Sequence, residues 1–148
     1  AIAALPVAAY AEPDARVFLW TTNRFLPDAF GVLAAWGFTY RQVLVWHKAA
    51  GHASPFGGSV APNSAVFLLV SVRGNPGLTE RAKASLITSP KGRHSQKPEA
   101  FLDLVEQVSP GPYLELFARR QRLGWDVLGN EVGEKLDIRE SLSLLAAA

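Results

Sequence analysis

Two residue types are missing from this 148-residue chain altogether, cysteine and methionine. Without cysteine there can be no disulfide scaffold, no thiolate zinc finger, no iron–sulfur site and no thiol nucleophile. The lack of methionine is consistent with removal of an initiator before Ala1 and equally with a chain that begins inside a longer protein. Long apolar runs are missing too: the stretch 64–72 falls far short of the roughly 20 residues a membrane helix needs. The apolar start, AIAALPVAAY, has no basic segment before it and so lacks the form of a signal peptide, which makes a cytosolic protein the expectation. Neither G-x-G-x-x-G nor a P-loop occurs, and the glycine pair Gly57 and Gly58 lies in a loop that no helix follows. Charge of either sign is scarce in the total, +2 from 15 bases and 13 acids, so net charge alone marks no nucleic-acid arm and no acidic tail.

What is present is an ordinary globular composition, 49% hydrophobic and 19% charged, enough for one core and one domain or part of one. Residues 15–22, ARVFLWTT, bounded by Pro13 and Asp14 before and Asn23 after, have the make-up of a buried strand. Pro27 suits a first helical turn, Phe30, Leu33 and Ala34 share one helical face, and Gly37 stands where a left-handed C-cap is expected. A second strand is predicted over 42–46, then a long Gly-, Ser- and Pro-rich loop over 49–62. The continuous apolar run 65–72 predicts a strand buried on both faces, as in a parallel sheet covered by helices, with a weaker strand at 85–88. Phe101, Leu104, Val105 and Val108 recur at i, i+3, i+4 and i+7, with Glu99, Asp103 and Glu106 on the other face and Pro98 at the first turn. A short strand, 113–118, follows, and residues 133–148 read as a modest amphipathic helix. Strands alternating with helices imply an α/β sheet.

In open sheets of this kind ligands bind beyond the carboxyl ends of the strands. The residues there are Thr21, Thr22 and Asn23, then His47 and Lys48, Arg73, and finally Glu115 and Arg119. Glu115, an acid late in an apolar strand, is placed to accept both hydroxyl hydrogens of a ribose; the plainer alternative is a strand acid facing solvent. Trp20, Trp36, Trp46 and Trp125 are core residues by default, although Trp46 at a strand end has the option of stacking on a base. His47, His52 and His94 lack metal-ligand spacing, so no metal site is expected. From Arg73 to Lys97 six bases face a single acid, Glu80, giving +5 and leaving −3 for the rest. Such an asymmetry suits either a phosphate-binding surface or a solvated loop region.

The ordered set VFLWTTNRFLPDAF, AWGFTYRQVLVWHK, VSVRGNP, RHSQKPEAF, YLELFARR and GWDVLGNEV resembles the MT-A70 family of adenine-N6 methyltransferases over residues 4–132. RHSQKP, followed after one helix by LELFAR and by W-x-x-x-G-N, is the most discriminating part. The resemblance implies a Rossmann-like methyltransferase sheet with helices on both faces, incomplete at its N-terminus, and a domain over 1–132 with a helical tail over 133–148. It implies S-adenosylmethionine as cofactor, with Lys97 on the methionine carboxylate, Glu115 and Arg119 on the ribose, and Gln121, Asn130 and Glu131 around the adenosine. Asn23, Trp46, Lys48, Arg93, His94 and Ser95 are the corresponding candidates for substrate contact. The implied partner is adenine-containing nucleic acid, DNA favoured over RNA, with a homodimer or a heterodimer with a related subunit as further options and no membrane.

The chain departs from the family pattern in two places. The family's Asp-Pro-Pro-Trp motif, expected upstream of LPVAAYAEPDA, is absent, and no two of the ten prolines are adjacent. That motif accepts hydrogen bonds from the adenine amine and stacks the extruded base, so these residues alone are expected to be inactive. Val66 stands close to where many relatives carry a glutamate. The competing reading is therefore a noncatalytic partner or nucleic-acid-binding module that keeps the fold; a small-molecule methyltransferase, with the basic stretch irrelevant, is a third.

Overall fold

The computed structural model describes residues 6–48, 59–90, 97–116, 122–128 and 144–147. The elements are, in chain order, α1 (Val7–Tyr10), β1 (Ala15–Thr21), α2 (Leu26–Ala35), β2 (Thr39–Lys48), β3 (Ala65–Arg73), β4 (Leu86–Ser89), α3 (Glu99–Val108), β5 (Tyr113–Leu116), β6 (Trp125–Leu128) and β7 (Leu144–Ala147). The strands form one sheet in the order β4-β2-β3-β1-β7-β5-β6. Because β3 pairs antiparallel with β1 and β2, and β7 antiparallel with β1 and β5, the other five strands all run the same way. Their carboxyl ends share one edge with the entry into β3.

Period-2 alternation sorts the side chains of β1 onto two faces. Val17 and Leu19 enter one core with Ala29, Val32 and Leu33 of α2, Val7 of α1, Trp36 and Phe38. Phe18 and Trp20 enter the other with Leu44 and Trp46 of β2 and the stripe Phe101, Leu104, Val105 and Val108 of α3. Helices thus cover both faces, as expected, and all seven residues of β1 are buried. Each large apolar side chain removed from water in this way contributes about 1.5–3 kcal/mol.

The chain leaves α2 as predicted. Gly37 takes φ 82°, its N–H donates to the Ala34 carbonyl, and the Phe38 N–H donates to that of Leu33, both at 3.0 Å. This double closure with the Leu33–Phe38 apolar contact is a Schellman motif, and the left-handed residue suits glycine. Asp28 lies in the first turn, where the helix dipole favours an acid.

Four expectations need correction. The β3 strand is central but antiparallel to both neighbours, so the sheet is mixed. Phe30 points away from the core and is exposed, packing edge-on against Tyr40 at 5.1 Å between centroids, while Ala29, Val32 and Leu33 face inward. The second strand is longer than 42–46, spanning Thr39–Lys48. In the stretch read as a helix, Leu144–Ala147 form a strand, because pairing with both β1 and β5 overrides the helical preference of Leu and Ala; the proposed boundary after residue 132 lies outside the described residues.

Candidate active site

The shared carboxyl edge carries most of the described residues that the sequence singled out. Thr21 ends β1, and just beyond it the Asn23 side-chain amide donates to Asn63 Oδ1 at 2.8 Å, tying the loop after β1 to the entry of β3. His47 and Lys48 end β2, with His47 Nδ1 3.5 Å from Thr88 Oγ1 across the β2–β4 pair. Glu115 sits one residue from the end of β5, half-buried, in register with Val127 of β6 and Leu145 of β7. Leu114 and Leu116 pack into the α2 core, so alternation puts Glu115 on the α3 face.

That face is floored by indoles. Trp20, at the end of β1, meets Trp46 edge-on at 6.3 Å and Phe101 at 4.7 Å between centroids. Lys97, in the segment leading into α3, holds its Nζ 5.6 Å above the Trp20 ring, and Lys48 Nζ lies 6.0 Å from the Trp46 ring. Each cation is drawn to the negative ring face, which fixes two ammonium groups at the rim of a dry aromatic floor. The edge therefore combines two positive charges, suited to a carboxylate or phosphate, with a carboxylate suited to vicinal hydroxyls.

Trp46 itself is 1% exposed, and its indole N–H donates to the Ser89 carbonyl at 2.9 Å. Its ring is core, so no stacking face is offered to a base; the sequence-based substrate role gives way to that of a support for Lys48. Val66 is likewise buried core. Arg93, His94, Ser95, Arg119, Gln121, Asn130 and Glu131 lie outside the described residues. Arg73, counted in the basic stretch, donates to the carbonyls of Ala8 (3.1 Å), Ala11 (2.7 Å) and Glu12 at the end of α1, which commits its charge to the fold.

Sequence reasoning missed Arg122. It donates to both carboxylate oxygens of Glu106 (3.0 and 2.8 Å), to Asp103 (2.5 Å) and to Glu99. The Trp125 indole N–H adds a bond to Glu106 at 3.1 Å. The Arg122 hydrogen bond, first among the causes, holds the Glu106 carboxyl below its ordinary range, and the same contacts raise the Arg122 pKa. These bonds fasten the start of β6 to α3, and α3 is led in by Lys97. The acids at 99, 103 and 106 were visible as one helical stripe; their basic partner, 16 to 23 positions away, was not.

A mixed α/β sheet with helices on both faces and a polar, cationic edge beyond its parallel strand ends is the architecture of the Rossmann-like class that handles nucleoside ligands. The chain belongs to the MT-A70 family, whose model matches residues 1–131. Among its relatives is the type II methyltransferase M.MunI of Mycoplasma sp., 30% identical over 139 residues, which cover 90% of this chain and 58% of the relative. The human N(6)-adenosine-methyltransferase catalytic subunit METTL3 is 27% identical over 136 residues, 82% of this chain and 22% of that protein. A Medicago truncatula protein described as a putative N(6)-adenosine-methyltransferase is 28% identical over 127 residues, 78% and 20% of the two chains. The chain thus spans less than two thirds of each of these relatives.

Proposed function

We propose that this chain carries the cofactor-binding part and a share of the substrate edge of an adenine-N6 methyltransferase that acts on nucleic acid. The observation that carries the reading is the placement of Glu115 and Lys97 on the α3 face of a sheet whose parallel strands end together. S-adenosylmethionine, when bound, supplies an activated methyl group. Glu115 accepts hydrogen bonds from the ribose hydroxyls, and Lys97, braced on Trp20, pairs with the methionine carboxylate. Lys48, braced on Trp46, attracts the phosphate backbone beside the target base. No covalent enzyme intermediate is required, because rate comes from positioning. The Asp-Pro-Pro-Trp acceptor is not among the 148 residues, so these residues alone are inactive in this reading.

DNA is the preferred substrate in this reading, supported by the type II methyltransferase relative, which matches over larger shares of both chains than METTL3 does. The test is mass-spectrometric detection of N6-methyladenine in matched DNA and RNA oligonucleotides incubated with the full-length protein and S-adenosylmethionine. Methylated DNA adenine supports the proposal, methylated RNA alone corrects the substrate, and no product in either removes the enzymatic reading. A noncatalytic partner subunit is the second reading, favoured by buried Val66 at the β3 entry; it predicts tight, salt-dependent nucleic-acid binding without cofactor affinity.

A further inference from the structure

On the α3 face, at the edge opposite the strand carboxyl ends, lies a cavity of about 630 Å³. Its place is set by Arg16 near the start of β1, five residues and therefore about 17 Å from Thr21 at the other edge. Apolar side chains such as Phe18, Leu44 and Leu104 form its floor, and four cations line it: Arg16, Arg41, Arg81 and Lys83. No carboxylate is among the lining residues. At the rim, Asp14 accepts the Asn75 backbone N–H at 2.8 Å, and Glu80 adjoins Arg81 in sequence.

Arg16 is 8% exposed, and its hydrogen-bond partners among the described residues are neutral: Nη1 donates to the Gly77 carbonyl and to Ser109 Oγ, both at 3.0 Å. A guanidinium buried without a counter-charge is costly, and burial lowers its pKa. A bound anion would remove that cost. The wall is also preformed. The loop 74–85 is pinned by Arg16 at Gly77, by the Thr79 N–H on the Val108 carbonyl (2.9 Å) and by the Val45 N–H on the Ser85 carbonyl (2.8 Å). The cavity has the size of a small-molecule site, apolar below with a few convergent polar groups. A nucleic-acid backbone lies along a surface and does not fill such a floor, whereas a compact phosphate on an aromatic body does both jobs.

We propose that this cavity binds a small organic phosphate of mononucleotide size, its phosphate against Arg16, Arg41, Arg81 and Lys83 and its body on the apolar floor. The site is separate from the carboxyl edge and does not rest on the methyltransferase reading. Uridine 5′-monophosphate is the probe, because it has the phosphate and the aromatic body without the adenine that the other edge would take. Calorimetric titration of the full-length protein should show saturable binding of uridine 5′-monophosphate and none of uridine. Arg81→Ala with Lys83→Ala, both exposed and with no hydrogen bond or ion pair among the described residues, should weaken it about tenfold or more at unchanged melting temperature. Glu115→Ala should leave it unchanged. Absence of binding overturns the proposal, as does binding that survives the double substitution. If the nucleotide fails to bind while a single-stranded oligonucleotide loses affinity in the double variant, the occupant is a nucleic-acid backbone and the proposal is likewise overturned.

Discussion

Replacing Arg122 by alanine removes the cation that gathers Glu99, Asp103 and Glu106 of α3. The Arg122 and Glu106 side chains are 22% and 30% exposed, and their two-pronged contact contributes about 1–2 kcal/mol as a charge-assisted pair in partial shelter. Glu99 and Asp103 are half-exposed or more, so each adds only a few tenths of a kcal/mol. The expected loss is about 2 kcal/mol, or roughly 4–8 °C in melting temperature for a chain of this size. The sign with pH is fixed by Glu106. Its folded pKa lies below the ordinary 4.5, chiefly because Arg122 hydrogen-bonds the charged form. The stabilisation is therefore fully present above about 4.5 and lost as the pH falls through the lower, folded value. Urea unfolding of the two proteins at pH 7 and pH 3 is the assay. The gap should be widest at pH 7 and narrow at pH 3. Equal stabilities at pH 7, or a gap of the same size at pH 3, would refute the electrostatic account of how β6 is held to α3.

Three further outcomes are expected. Gly74→Ala should cost about 2–5 kcal/mol in denaturant unfolding, because Gly74 has φ 67° and an added Cβ would lie 2.6 Å from the Pro13 carbonyl oxygen; a loss under 0.5 kcal/mol would show that this turn relaxes freely. Trp46→Phe should cost about 1–3 kcal/mol by leaving the Ser89 carbonyl without its indole donor, and a variant as stable as the parent would mean that water replaces the bond. Lys97→Met should weaken S-adenosylmethionine at least about tenfold while leaving uridine 5′-monophosphate unaffected, whereas Lys97→Arg should retain most of the affinity; equal loss in both variants would point to packing on Trp20 instead of charge.

Local periodicity carried much of the fold. The α3 stripe and the Gly37 closure were legible because four buried positions at helical spacing and one obligatory left-handed residue leave few alternatives. Strand direction was not, since an apolar run such as 65–72 looks the same in either orientation and its sense is set by partners far along the chain. Phe30 fits the apolar spacing of α2 equally well from its flank, and only Tyr40 on β2 decided where it lies. The place of Glu115 near the carboxyl end of β5 was legible because it is the one acid in a short apolar run. Arg16 and Arg122 were not, because each earns its role from residues 16 to 93 positions away. Trp46 shows the opposite failure: a strand-end aromatic reads as a stacking platform until a carbonyl, here that of Ser89, fixes its edge inside.

The assignment of Glu115 to the cofactor is the point on which the methyltransferase reading turns, and calorimetric titration of S-adenosylmethionine into the full-length protein and its Glu115→Ala variant tests it most directly. The expected result is saturable binding by the parent and at least about tenfold weaker binding by the variant, with the two far-ultraviolet spectra superimposing. Binding of equal strength in both, or no binding by the parent, would contradict it.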